Sequence, residues 1–130
     1  MCALLLAGCT KSAPSPLATG PVDTALARGS AYLLAHQGED GGFHSTAYAA
    51  FRDGRALSPI ILSALLFTAP RTAASEAAYD RGVDFVASLV DADGRITARL
   101  EYPVYSVAAA LLVLSVPRNV RHASKRAALI

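Results

Sequence analysis

Few side chains in this sequence are able to move protons, and they are scattered. His44 and Glu101 form an acid–base pair by type, and Tyr48 follows His44 by four residues. Both His44 and Glu101 lie in polar stretches that lead into apolar runs. Brought together, they would make a polar patch suited to general acid–base work, which needs partners within hydrogen-bond reach. No spacing fixes that distance, and a solvated loop is the simpler account of all three residues. His36, Arg52, Asp53, Tyr102 and Tyr105 complete the polar candidates, with His36 placed to face the last carbonyls of a helix. Asp91-Ala92-Asp93-Gly94 pairs two carboxylates but lacks the later ligands and closing Glu of a calcium loop. Cys2 and Cys9 both fall within the first nine residues, without zinc-site spacing. The expectation is a chain with no catalytic residue, no metal and no cofactor.

The elements that would position these residues are helical. The chain has 130 residues, room for one small domain, with 53% hydrophobic and 17% charged residues. That composition can fill a core and excludes disorder over most of the length. Mean hydropathy is +0.37, high for so small a domain. The longest apolar runs, Ile60 to Phe67 and Val107 to Val116, are broken by Ser63 and Ser115. Both fall short of the roughly 18–20 residues of a membrane span, so they read as buried core helices. Net charge is +2, carried by ten Arg and two Lys against ten acids. Arg118, Arg121, Lys125 and Arg126 cluster without an intervening acid. No aromatic platform accompanies them, so a solvated helix face is expected and nucleic acid is not.

The pattern predicts a helix from about Val22 to Gln37, capped by Asp23 or Thr24 and closed by a left-handed Gly38. A second helix opens with Ser58 as cap and Pro59 in the first turn, where its missing N–H costs nothing. It is apolar nearly all round to Phe67, so burial on all sides is expected. Thr72 or Ser75 starts a third helix to about Val90, Pro103 opens a fourth to about Ser115, and a fifth runs from Val120 to Ile130.

Two of these helix pairs can be laid on each other. Arg28-Gly29 aligns with Arg81-Gly82, Tyr32 with Phe85, Asp40-Gly41 with Asp93-Gly94, and Phe43 with Ile96. After a shorter connector, Ser58-Pro59 falls near Tyr102-Pro103. A period of about 50 residues lies in the range of solenoids and toroids. The turn Gln37-Gly38-Glu39-Asp40-Gly41-Gly42-Phe43 is the most informative piece. Asp can bond its own following backbone, Gly can take positive φ, and the aromatic ring can fold back on the hairpin.

This turn resembles the QW-type repeat of the squalene-cyclase and prenyltransferase family. There, Gln-x-x-Asp-Gly-(Ser/Gly)-(Trp/Phe) ties an outer helix to the next inner helix of an α/α toroid. The matching residues are Gln37, Asp40, Gly41, Gly42 and Phe43, and the second copy keeps Asp93 and Gly94. The resemblance implies an all-α fold of two α-hairpin repeats, at about 22–70 and 72–117. A partial third at 118–130 supplies a fifth helix, and the whole is an incomplete, open toroid. It does not carry over the family's chemistry. The cyclase Asp-x-Asp-Asp acid meets Gly94 at its fourth position, and Asp93 is accounted for by the turn. The prenyltransferase zinc site needs a Cys beyond Cys9, and the thioester Cys-x-Glu-Gln is missing. Two hairpins are also fewer than a closed toroid requires, and an open pair exposes apolar inner-helix surface.

At the N-terminus, Leu6-Ala7-Gly8-Cys9 resembles the bacterial lipobox, whose Cys takes a diacylglycerol. Residues 10–21 are Pro- and Ser-rich, a linker by composition. Residues 1–9 lack the basic opening of a full signal peptide, consistent with a start upstream of Met1. Together these features imply a membrane-anchored envelope lipoprotein. Its repeat domain, residues 22–130, would be a non-catalytic binding or structural module. Homo-oligomer or protein contacts would form over the inner-helix surface. The alternative is a fragment of a terpenoid-cyclase-like enzyme whose catalytic repeats are missing.

Overall fold

Glycine, threonine and proline set the helix boundaries. The computed structural model describes residues 20–69, 71–96 and 103–130. Its helices are α1 (Pro21–Ala35), α2 (Leu57–Thr68), α3 (Ala73–Leu89), α4 (Pro103–Leu114) and α5 (Ala123–Ala128). Short 3-10 segments occupy Ala49–Phe51 and Pro117–His122. The described residues contain no strand, so the chain is all-α as expected.

Several cap expectations are corrected. Gly20, not Asp23 or Thr24, precedes α1, and Asp23 accepts the Gly20 N–H at 3.0 Å from the third helical position. Pro21 is thus the first helical residue rather than linker. Gly38 is not left-handed; the positive-φ glycines are Gly41, Gly54 and Gly94. α1 closes instead through the His36 N–H onto Leu33. Ser58 is not a cap either, because α2 starts one residue earlier at Leu57. Its hydroxyl accepts the Phe43 N–H at 2.8 Å. Thr72 caps α3 as expected, accepting the Ser75 N–H in a reciprocal box.

α2 lies at the centre, packed on α4, on α3 and, less extensively, on α1, while α5 and the preceding 3-10 segment cover α4. The core joins Phe43, Leu62, Leu65, Tyr79, Val83, Val86, Val90, Ile96, Ala110, Val113 and Leu114. Burial on α2 falls on Ser58, Pro59, Leu62 and Leu65, and on α4 on Ser106, Ala110, Val113 and Leu114. On each helix burial begins at a serine and recurs four and seven residues on, at Ser58, Leu62 and Leu65 and at Ser106, Ala110 and Val113. The expectation that α2 is buried all round also fails. Ile60 is 47% exposed and Phe67 78%, because α2 has neighbours on only part of its circumference.

The basic C-terminal cluster is not a merely solvated face. Arg118 pairs with Glu76 and, at 2.9 Å, with Asp80. Arg121 pairs with Asp84 at 3.0 Å, and His122 meets the same carboxylate at 2.8 Å. Glu76, Asp80 and Asp84 lie four residues apart and so form one face of α3. Against burial, which works to raise it, the His122 and Arg121 bonds hold the Asp84 carboxyl below its ordinary value. Arg118 also sits 4.8 Å over the Tyr79 ring, a cation–π arrangement. Asn119, fully buried, donates to the Val113 carbonyl at 2.7 Å and closes the end of α4.

Candidate functional site

The Gln37–Phe43 turn is built as a joint between α1 and α3. A single antiparallel bridge pairs Gln37 with Phe43, and the Gly38 N–H donates to Gly42 at 2.8 Å. Asp40 Oδ1 accepts the Gly42 N–H at 3.0 Å, the local bond expected of an Asp in a turn. Gly41 takes φ +85°, and its Cα lies so close to α3 that a Cβ would stand 2.5 Å from the Arg81 carbonyl oxygen. The Gln37 amide spans the junction. Its nitrogen donates to Gly41 at 2.9 Å and to the Ala78 carbonyl at 2.8 Å. Its oxygen accepts from Arg81 at 2.9 Å. Phe43 is 2% exposed and belongs to the core.

The second turn keeps the backbone pattern with different side chains. Val90 bridges Ile96, the Asp91 N–H donates to Arg95 at 2.9 Å, and Gly94 has φ +74°. Asp91 rather than Asp93 holds it, accepting from the N–H groups of Asp93 and Arg95 at 2.9 and 2.8 Å. Gly94 presses on α5, where a Cβ would overlap the Ala128 carbonyl. Lys125 donates to the Val90 carbonyl across this second joint.

Of the three residues expected in a polar patch, His44 and Tyr48 are described and Glu101 lies outside the described residues. His44 Nε2 is 3.0 Å from Asp40, and its Nδ1 is 3.0 Å from the Arg52 carbonyl. Both partners are acceptors, so satisfying both requires the imidazolium. The Asp40 bond raises the His44 pKa above 6.5, against the opposing effect of burial. Burial works to raise the Asp40 pKa, but the His44 and Gly42 bonds outweigh it and hold the carboxyl below 3.8. His44 is thereby a clamp across the loop, with both nitrogens engaged. Tyr48 is 69% exposed and does not join it. His36 Nδ1 lies 2.7 Å from the Tyr32 carbonyl, at the helix end where it was expected. Among the described residues, no three His, Cys, Asp or Glu side chains converge as a metal site would require.

The other notable surface is apolar. Ile60 and Phe67 on α2, and Val104, Tyr105 and Leu112 on α4, are all about half or more exposed. No single described helix is long and apolar enough to cross a membrane; the helices joined at Pro117 pass on length only as a pair bent by 108°. The proposed lipidation residue Cys9 lies outside the described residues. Sequence reasoning missed Arg81 and Asp91. The available signal for Arg81 was its place in the Arg-Gly pair, and for Asp91 its position two residues before Asp93. No protein-family model, no curated protein and no solved structure matches this chain.

Proposed function

We propose that this chain is a non-catalytic α/α-repeat module of the bacterial cell envelope, lipid-anchored through Cys9, that holds a protein partner on the apolar face of α2 and α4. In this reading the two hairpins are successive repeats of an open toroid of the squalene-cyclase and prenyltransferase type, with α2 and α4 as inner helices. The similarity of Gln37–Phe43 to the QW-type turn supports the arrangement. The observation that carries the function is the exposed stripe of Ile60, Phe67, Val104, Tyr105 and Leu112 on two adjacent helices. Exposed apolar side chains gathered on two packed helices mark an interaction surface more often than idle surface.

A photo-crosslinking amino acid at Phe67 tests this reading in cells. The expected result is a discrete crosslinked product, absent when the same group replaces exposed Arg95. Equal labelling at the two positions would overturn the contact surface. Mass spectrometry of the membrane fraction is expected to find diacylglycerol on Cys9; an unmodified thiol there would end the anchored reading.

A further inference from the structure

We propose that the Asp93-Gly94 peptide is a site of spontaneous covalent modification, the isomerisation of Asp93 to isoaspartate through a cyclic imide, and that the product releases α5 from the second turn. The inference stands apart from the contact face on α2 and α4 and uses only the two turns and α5.

The chemistry belongs to an aspartate followed by glycine. The backbone nitrogen of the glycine attacks the aspartate Cγ, forming a C–N bond as the Cγ–O bond breaks. The hydroxyl of the carboxylic acid leaves with the amide proton as water. Water then adds back at either carbonyl of the five-membered imide. Opening at Cγ restores aspartate. Opening at the main-chain carbonyl leaves the chain running through Cβ and Cγ, with the former α-carbonyl as a free carboxylate. Glycine favours the attack because it has no side chain to crowd the ring and its backbone turns freely.

Asp-Gly occurs at 40–41, 53–54 and 93–94, and the fold restrains the three pairs unequally. Asp40 accepts the Gly42 N–H at 3.0 Å and lies 3.0 Å from His44 Nε2. Asp53 accepts the Arg55 N–H at 3.1 Å and faces the Arg55 guanidinium at 3.5 Å. Each must give up such bonds before its Cγ turns onto the following nitrogen. Among the described residues Asp93 accepts no hydrogen bond; Arg95 stands 3.9 Å away, and the Asp93 side chain is 74% exposed. The restraint in this turn has passed to Asp91, which accepts the Asp93 and Arg95 N–H groups at 2.9 and 2.8 Å. The attacking nitrogen is also held more loosely. Gly94 N lies 3.4 Å from the Asp91 carbonyl, whereas Gly41 N lies 3.0 Å from that of Gly38. Gly41 is in addition buried against the Arg81 backbone.

The product matters because of what Gly94 touches. It lies so tightly on α5 that a Cβ would overlap the Ala128 carbonyl, and Lys125 donates to the Val90 carbonyl where the same turn begins. α5 has six residues, too few to persist as a helix without packing. Isoaspartate adds one carbon to the main chain immediately before Gly94. The Val90–Ile96 bridge fixes the two ends of the turn, so the extra length displaces Gly94 from its fit on α5.

The test is ageing of the full chain in warm neutral buffer, followed by tryptic digestion and electron-transfer fragmentation, which separates β-linked from α-linked aspartate of the same mass. Isoaspartate is expected at Asp93 at least about fivefold faster than at Asp40 or Asp53, the factor set by one hydrogen bond broken beforehand. Ageing in urea is expected to bring the three rates together, since only the fold separates them. Equal rates in the folded chain, a faster Asp40 or Asp53, or a lead at Asp93 that persists in urea would each overturn the site. Amide exchange in residues 123–130 is expected to quicken in the aged chain. Asp93→Glu, whose longer side chain forms no five-membered imide, should age without that change. Unaltered exchange at α5 in the isoaspartate-bearing fraction would overturn the release.

Discussion

Arg81 donates to the side-chain oxygen of Gln37 at 2.9 Å, across 44 residues of chain. The same Gln37 amide gives its nitrogen to two carbonyls, Gly41 in its own turn and Ala78 on α3. One side chain therefore closes a turn and docks it. Gln37→Glu replaces the donor with a carboxylate oxygen facing two carbonyl oxygens. It should lose about 1–3 kcal/mol, the cost of leaving part-buried polar groups unpaired. Gln37→Leu should lose a similar amount, and urea denaturation read by circular dichroism measures both. Wild-type stability in either variant would remove Gln37 from the joint.

Much of this is legible in the sequence. Pro103, Thr72 and the apolar runs placed four long helices to within about two residues, because caps and prolines act locally. The Gln37–Phe43 turn was legible for the same reason, as its Asp and Gly serve their own backbone. What the sequence hid was long-range. Ser58 looks like a cap because serine caps helices, yet its partner Phe43 is 15 residues away. The run Ile60–Phe67 looks buried all round because periodicity reports hydrophobicity and not the number of neighbours. Arg118 and Arg121 look solvated because their acids lie on α3, 37 to 42 residues earlier. His44 and Asp40 are near in sequence, but only the fold shows that the Arg52 carbonyl occupies the second ring nitrogen.

Glycine substitutions should separate packed positions from open ones. Gly41→Ala forces a side chain into positive φ and against the Arg81 carbonyl, and should cost upwards of about 1–2 kcal/mol. Gly94→Ala meets the Ala128 carbonyl and should lift α5 away, seen as faster amide exchange in residues 123–130. Gly29→Ala meets nothing and lies inside a helix, so a gain of up to about 1 kcal/mol is expected. Thermal unfolding of the three variants compares them directly, and a loss at Gly29 equal to that at Gly41 would contradict the difference in packing.

The His44–Asp40 clamp gives the turn a pH window. The His44 pKa is raised in the fold, so its contribution is full below about 6.5 and is lost as pH rises through the higher folded value. The Asp40 pKa is lowered, so its contribution is present above 3.8 and is lost as pH falls through the lower folded value. The clamp is strongest between those limits. Both side chains are partly solvated, at 32% and 51% exposure, so water screens the pair and the effect is modest. An NMR titration should place the His44 midpoint above 6.5 and bring it down in Asp40→Asn. An unshifted midpoint in the wild type would rule out the clamp.

Arg118 reaches Glu76 and Asp80 while stacking over Tyr79. Burial works to lower its pKa, but the two carboxylates raise it, so the guanidinium stays charged. Arg118→Ala should cost about 1–2 kcal/mol from lost ion pairing and cation–π contact together. Arg118→Lys should recover only part, because an ammonium cannot bridge both carboxylates with a planar fork. The wild-type advantage should shrink in molar salt, where exposed pairs are screened. Denaturation midpoints at low and high salt would show it, and a salt-independent difference would assign the effect to packing instead.

Ser58 on α2 and Ser106 on α4 are both fully buried, yet among the described residues only the Ser58 hydroxyl is engaged. Ser58 accepts the Phe43 N–H at 2.8 Å, whereas Ser106 Oγ has no hydrogen-bond partner among the described residues. The two alanine substitutions should therefore differ. Ser58→Ala strands a buried backbone N–H and should cost about 1–3 kcal/mol. Ser106→Ala removes a hydroxyl with no partner among the described residues, and should be neutral or stabilising by up to about 1 kcal/mol. Urea midpoints of the two variants, read against the same wild type, decide the matter. Equal losses would mean that Ser106 also holds a partner in solution, and that the second turn is fastened to its following helix as the first one is.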